Sequence, residues 1–408
     1  MSSPDSARRG RVAVLGGGPA GMATALSVHQ AGHDVVIFER YREARPAGNV
    51  LNLWPPPLKA LRLLGVDTDD LGAPCRSQFR NSRGRVRADV KSDPEIEAQY
   101  GIGGGFIGLP RPELYERMLA ALPPGVLHTN QAVERIEQDD PARDDAGVTL
   151  HFADGTTHET DVLVGADGID SLVRRTLWGD TPKREHRLHV IAGFTFVDDV
   201  ATEPNTCVIG HGREVQGSWT SIRYQGRAGH QWWVLEATDP DAPAPADLLA
   251  RARELGREFV DPLPSLIEHT EPANVQRWVL RDRGYLDRWS QGRATLVGDA
   301  AHATSPYAAY GAGMAIEDGY FVGRALRGVD LTDTEAVARA LAAYEDPRRD
   351  HTKFQVRMAY MNGQMFHHTP RVLQPLRDLV FDHTPFLQKV VGDTNPAEIN
   401  KQLALITD

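Results

Sequence analysis

Apolar residues come in short blocks separated by glycine, and the first blocks set the architecture. Val12 to Leu15 is an apolar run of strand length, and Pro19 to Ala31 has apolar positions at helical spacing and meets Gly32 where a C′ glycine ends a helix. Val35 to Phe38 supplies a second apolar strand. Strand, turn, helix and strand in so few residues predict a βαβ unit whose parallel strands are buried on both faces.

Further along, Cys75 to Val90 alternates between polar and apolar around an Asn81-Ser82-Arg83-Gly84 turn, which predicts a hairpin. Arg111 to Ala121 reads as a helix with Pro112 at N1. Val148 to Phe152 and the strand after the Asp154-Gly155 turn form another hairpin, and Val162 to Val164 is a buried strand running into a glycine-rich corner. From Arg187 to Ala237 strand follows strand (Val190 to Val197, Val215 to Tyr224, Gln231 to Glu236), rich in β-branched and aromatic residues. After a linker at Asp239 to Ala246, Arg293 to Val297 is again a buried strand, ending at Gly298-Asp299. Helices are expected from about Gly313 to Leu326, from Leu331 to Met361 and from Val372 to Val390.

This order predicts an α/β protein: a Rossmann-like nucleotide-binding domain with an inserted, mainly antiparallel β-sheet substrate domain and C-terminal helices. The expected boundaries are 1–74, 101–182 and 283–345 for the nucleotide domain, 75–100 and 183–282 for the substrate domain, and 346–408 for the C-terminal helices.

Composition narrows the choice of partner. Among 408 residues, 41% are hydrophobic and 25% charged, so a sizeable core is available. The formal net charge of −10 offers no basic field for nucleic acid or for an anionic membrane. Cys75 and Cys207, far apart in sequence, encode neither a disulfide framework nor a thiolate metal site, which fits a reducing cytoplasm. The stretch after Met1 to Arg11 is broken by Gly16, Gly17, Gly18 and Pro19, unlike a signal peptide, and no apolar run reaches the roughly 18 residues that span a bilayer. No metal-ligand pattern is present: the adjacent His367 and His368 would point in different directions on a helix.

Candidate chemistry begins at Gly16-Gly17-Gly18-Pro19-Ala20-Gly21, a Gly-X-Gly-X-X-Gly between strand and helix. Gly16 permits the tight turn, Gly18 lets backbone approach a pyrophosphate, and Gly21 allows close helix packing. The helix start presents free amides to the phosphates. Glu39, closing the second strand, is placed to accept hydrogen bonds from an adenosine ribose, with Arg40 beside it. The motif alone leaves FAD and NAD both open.

Two later segments discriminate. Gly165-Ala166-Asp167-Gly168-Ile169-Asp170-Ser171-Leu172-Val173-Arg174 and Gly298-Asp299-Ala300-Ala301-His302 resemble signatures of the para-hydroxybenzoate hydroxylase fold, the class A flavoprotein monooxygenases. With the N-terminal glycines they make three motifs in the family's order. The run from Ser305 to Asp318 is most similar to the salicylate and 3-hydroxybenzoate hydroxylase branch, with Tyr310 where glutamine or serine is usual. A further departure is the stretch Gly48 to Pro57, in which Trp54 is either core packing or a wall of the substrate cavity.

The resemblance implies non-covalent FAD. Asp299 would bond the ribityl chain, and the amides of Gly311, Ala312, Gly313 and Met314 would face the pyrimidine end of the isoalloxazine. Arg111 would contact FAD phosphate or ribityl oxygens, Val133 would pass the adenine, and Asp167 would lie near the pyrophosphate; a capped helix, a core valine and a structural Asp-Gly turn are the plain alternatives. Arg45 is a weaker flavin candidate. The implied reaction uses NAD(P)H as a transient co-substrate and O₂, and hydroxylates or epoxidises an aromatic or polyketide-like small molecule through a flavin hydroperoxide. Tyr224, His230, Trp232 and Tyr307 are candidates for the substrate cavity, alongside Trp233, and each has an ordinary packing role as its alternative. No residue stands out as a catalytic base, and the chain is expected to act as a monomer or homodimer. Two other readings stay open: a non-redox cyclase or isomerase with structural FAD, and a flavin-free NAD-dependent dehydrogenase.

Overall fold

The computed structural model describes residues 10–42, 50–102, 105–140 and 147–408. The opening blocks do form the βαβ unit. A five-stranded parallel sheet runs, in spatial order, Ala294–Leu296, Val162–Gly165, Arg11–Leu15, Asp34–Phe38 and Leu127–His128. Arg11–Leu15 lies in the middle, and Val12, Ala13 and Val14 are buried, as a parallel strand covered on both faces requires. The helix Pro19–Gln30 follows directly. It packs against the helix Gly311–Leu326 so closely that a Cβ on Gly319 would come 2.5 Å from Thr24 N and one on Gly323 2.1 Å from Ser27 Oγ. A three-stranded antiparallel sheet of Val133–Gln138, Val148–Phe152 and Thr157–Thr160 stands apart from the parallel one.

The second large element is a mainly antiparallel sheet in the order Val275–Arg283, Lys183–Thr195, Arg227–Ala237, Val215–Tyr224, Thr206–His211, Ala73–Asn81, Gly105–Pro110 and Val50–Leu53, with Val86–Asp89 beside Ala73–Asn81. The pair Thr206–His211 and Ala73–Asn81 is parallel. The outer face is covered by the helices Leu248–Gly256 and Leu263–Glu268, whose Leu249, Leu255, Leu263 and Leu266 share a cluster with Trp219 and Trp232. The inner face packs Cys75, Phe106, Cys207 and Trp233 against Tyr310, Met314 and the long helix Thr334–His367.

Several predicted segments are corrected here. The helix expected from Leu331 to Met361 runs from Thr334 to His367, because Asp333 caps it with bonds from Glu335 and Ala336 amides; it carries Pro347 in its interior. Val372 to Val390 is not one helix: Gln374–His383 stops before Thr384-Pro385, and a π-helical segment, Gln388–Thr394, follows. The helix expected from Gly313 begins at Gly311. Pro112 is the second residue of Arg111–Ala121, so its missing N–H still falls where no intrahelical partner exists. The stretch before Pro55 departs from the family in sequence yet holds the strand Val50–Leu53 and the helix Pro55–Leu63.

Candidate functional site

The glycine turn is sterically tight at Gly16 and Gly21 and open at Gly18. Gly16 has φ of +106°, and a Cβ there would sit 2.4 Å from Ala166 O; a Cβ on Gly21 would sit 1.9 Å from Gly16 O. At Gly18 a Cβ would meet nothing within 4 Å, so this glycine leaves the helix mouth open. Met22 N–H already donates to Gly18 O, and Pro19 has no N–H, so Ala20 and Gly21 carry the amides of the first turn. Glu39 is buried and caps the same turn: Oε2 accepts from Gly17 N–H at 2.8 Å and Oε1 from Tyr41 N–H at 2.9 Å. Gln131 N–H donates to Glu39 O, which brings the strand starting at Val133 to this end of the site. Arg40 is exposed and lies over the Tyr41 ring. Arg45, and Gly48 and Asn49 of the departing stretch, lie outside the described residues.

Three helix starts converge on this opening. A Cβ on Gly298 would lie 3.0 Å from Ala315 Cβ and 3.1 Å from Ala20 Cβ, so this residue joins the starts of Pro19–Gln30, Asp299–His302 and Gly311–Leu326. From Arg293 to Ala303 every residue is buried except Asp299. Asp299 is exposed, yet the protein packed around it raises its pKa, while His302 and Arg111 oppose that rise. Arg111 is pushed down by burial and held up by the charge of Asp299, so the two residues singled out for flavin contact lie within electrostatic reach of each other. Met314 is a partial correction to the four-amide reading, because its N–H donates to Tyr310 O within the helix. Gly311, Ala312 and Gly313 keep the helix-start amides. Asp167 spends Oδ2 on the amides of Leu172 and Val173, at 2.6 and 3.3 Å, and so caps the helix Leu172–Trp178.

Beneath the convergence lies a buried ionic network that the sequence reading missed. Arg348 donates to Asp318 Oδ1 at 2.8 Å, Glu317 Oε2 at 2.7 Å, Gln402 Oε1 at 2.8 Å and Met314 O at 3.2 Å. Asp318 Oδ2 in turn accepts from Gly298 N–H at 2.9 Å and meets His302 Nε2, while the Tyr310 hydroxyl donates to Glu317 Oε1. Burial alone would raise the Asp318 pKa, but His302 and Arg348 overcome it and hold the carboxyl low. Burial raises Glu317 against the pull of Arg348. The available signal was Glu317-Asp318 in a helix otherwise rich in apolar and small residues.

On the other side of the cleft is the inner face of the large sheet. Strand alternation separates the substrate candidates. Trp232 pairs with Trp219 and points outward, donating Nε1–H to Thr270 Oγ1 at 2.8 Å, so the structure does not bring it to the cleft side. His230 has the same parity and meets Thr202 Oγ1. Tyr224 shares the face of Gln216 but is eight residues along the strand, about 27 Å away; its pKa is raised by burial and by Glu116 and Glu113. Trp233 and Tyr307 do come together, with Ile209 and Trp54, around Phe106 and Met314. The Tyr307 hydroxyl bonds both Gln216 Oε1 and His367 Nε2. Gln216 Oε1 only accepts, so the Tyr307 O–H donates to it and the phenolic oxygen is left to accept from His367 Nε2–H. Burial lowers the His367 pKa to about 4, so this imidazole is neutral at pH 7. Trp54 is buried and donates Nε1–H to Ala309 O at 2.9 Å. Among the described residues no group of His, Cys, Asp and Glu is placed to hold a metal, and no helix is long and apolar enough to cross a membrane.

Comparison with known proteins agrees with this geometry. The chain matches the FAD binding domain family over residues 9–359. It is 32% identical to a 3-amino-4-hydroxybenzoate 2-monooxygenase of Streptomyces platensis, covering 91% of this chain and 92% of that protein. It is 30% identical to the 6-hydroxynicotinate 3-monooxygenase of Bordetella bronchiseptica, covering 86% and 91%. Among solved structures, Klebsiella pneumoniae HpxO complexed with FAD and uric acid superposes with a TM-score of 0.81 at 24% identity, covering 95% of this chain and 96% of that one. FAD binding is thus matched along most of the chain, which belongs to the FAD binding domain family of class A flavoprotein monooxygenases.

Proposed function

We propose that this enzyme uses NADH or NADPH and O₂ to hydroxylate an electron-rich aromatic small molecule, held between the Tyr307 to Gly313 loop and the inner face of the large sheet. The observation that carries the reading is Asp299: an exposed carboxylate in an otherwise buried run, within electrostatic reach of Arg111, where three helix starts meet. Such a donor set suits FAD, with helix-start amides for the diphosphate and the isoalloxazine edge, and Asp299 with Arg111 for polar oxygens between them. Bound FAD, reduced by a nicotinamide, supplies the activation of O₂. The protein's own share is placement and water exclusion. Trp54, Phe106, Ile209 and Trp233 form an apolar wall, and Tyr307, fixed by Gln216 and His367, offers a hydroxyl to a polar group of the ring.

In this reading residues 75–100 and 183–282 supply most of the substrate wall, and Val50–Leu53 and Gly105–Pro110 extend the same sheet. FAD is held non-covalently, and the free, buried Cys75 and Cys207 suit the cytoplasm. The relatives named as monooxygenases favour this over a non-redox cyclase. The test is direct: the purified protein should be yellow, and one of a panel of hydroxybenzoates, hydroxynicotinates and urate should accelerate NADH or NADPH oxidation under air. Yellow protein with no acceleration by any aromatic compound, or turnover persisting without nicotinamide or O₂, would overturn it.

A further inference from the structure

A cavity of about 510 Å³ opens at the outer edge of the parallel sheet, and none of its lining residues belongs to the substrate wall or to the three helix starts. Its volume falls within the roughly 300–1,000 Å³ of small-molecule sites. The loop from Arg288 to Gly292, which leads into the edge strand Ala294–Leu296, forms one side. Trp178, the last residue of Leu172–Trp178, forms a second, and the long helix Thr334–His367 the third. On that helix Ala338, Ala342, Glu345 and Arg349 recur at i, i+4, i+7 and i+11, and so share one stripe.

Two charged residues lining this cavity have no partner among the described residues. Glu345 is only 5% exposed, yet its carboxylate accepts from no donor. The groups that could have served it are spent elsewhere. Tyr285, whose hydroxyl feels the Glu345 charge, donates instead to Arg349 O at 3.0 Å. Arg349 itself donates to Asp287 O at 2.8 Å and to Asp346 Oδ1 at 3.0 Å, so Asp346 and Arg349 neutralise each other. Arg288 is exposed and pairs with no carboxylate, Glu345 included. Trp178, between apolar wall and rim, has an indole N–H buried without an acceptor. A carboxylate buried without a cation is costly to keep, and an open cavity in front of it points to a cation brought by a ligand.

We propose that this cavity binds a small zwitterion, an α-amino acid with an apolar side chain. Its ammonium group meets Glu345, its carboxylate turns toward Arg288, and its side chain lies against Trp178, Ala338 and Ala342. Charge selects this class, because the cavity offers one unmatched charge of each sign and holds the two apart. A simple amine leaves Arg288 unmatched, and a simple acid meets Glu345 as a like charge.

The experiment is isothermal titration calorimetry on the full-length, FAD-loaded protein with L-phenylalanine, phenethylamine and 3-phenylpropionate, which share a body and differ in charge. L-Phenylalanine should bind at one per chain, about tenfold more tightly than either analogue. Glu345→Gln should weaken L-phenylalanine and phenethylamine by about tenfold without weakening 3-phenylpropionate, and Arg288→Gln should weaken L-phenylalanine and 3-phenylpropionate while sparing phenethylamine. Arg288 is exposed, so its substitution probes the site independently of any change in packing at Glu345. Flavin content and melting temperature should stay at the wild-type values in Arg288→Gln. No heat with L-phenylalanine at millimolar concentration, an analogue that binds as tightly as L-phenylalanine, or binding unchanged by either substitution would overturn the proposal.

Discussion

Trp54 holds Ala309 in a left-handed backbone conformation: its indole N–H donates to Ala309 O at 2.9 Å, and Ala309 has φ of +48°. The loop that leads into the Gly311 helix is thus bent at a residue that pays for the bend, and the indole at the head of the helix Pro55–Leu63 secures it. Ala309→Gly should relieve about 1 kcal/mol of backbone cost, seen as a higher urea midpoint. Trp54→Phe should lose about 1 kcal/mol by leaving that carbonyl without its donor, and it should loosen flavin binding, read as faster release of FAD on dilution.

The Arg348 network makes a larger prediction. Arg348→Met leaves Glu317 and Asp318 buried without their cation and should cost about 3–5 kcal/mol. Expression as apoprotein, or a melting temperature lowered by many degrees, is the expected outcome. A variant that melts with the wild type would show that the network contributes no stability.

Asp299 tests the cofactor site itself. Asp299→Ala should weaken FAD roughly 10- to 100-fold through loss of a charge-assisted hydrogen bond, while the circular dichroism of the folded chain is kept. Arg111→Ala should do the same in kind. Full flavin occupancy in both, measured by absorbance after gel filtration, would remove these residues from the FAD site.

Two buried histidines predict acid lability. Burial lowers His367 to about 4, and burial with the nearby Arg348 lowers His351 to about 3, against about 6.5 for histidine in the unfolded chain. The unfolded chain therefore binds more protons than the native one between those values. The contribution is complete above pH 6.5 and is lost as pH falls toward 4, at up to about 1.4 kcal/mol per pH unit for each site. Urea midpoints at pH 7, 6 and 5 should fall accordingly, and His367→Gln should flatten the slope.

Much of the FAD side could be read from sequence because glycine is informative about geometry. Gly16, Gly18 and Gly21 each stand where a Cβ would collide or where the helix mouth must stay open, and Asp299 follows such a turn. The substrate side was less legible. Trp232 and Trp233 are equally aromatic, and only the register against Ser218 and Trp219 shows that the second faces Tyr307 while the first packs outward. Arg348 gave no local signal, since its partners Glu317 and Asp318 lie far back in the chain, and neither did Gln402, whose partner is Arg348. The strand Val275–Arg283 was missed because its polar residues interrupt the apolar run.

Gly298 also governs when this protein can become yellow. Its contacts with Ala20 and Ala315, and the bond from its amide to Asp318, mean that the meeting of helix starts proposed to hold FAD exists only once the two distant parts of the chain have met. Arg348, which neutralises that carboxylate, comes later still. During synthesis the glycine turn is complete after a few dozen residues, yet a ribosome must translate beyond Arg348 before the turn has its other half. Cofactor capture is therefore a late event in the life of each chain, and a product truncated short of that point leaves the ribosome without a flavin site.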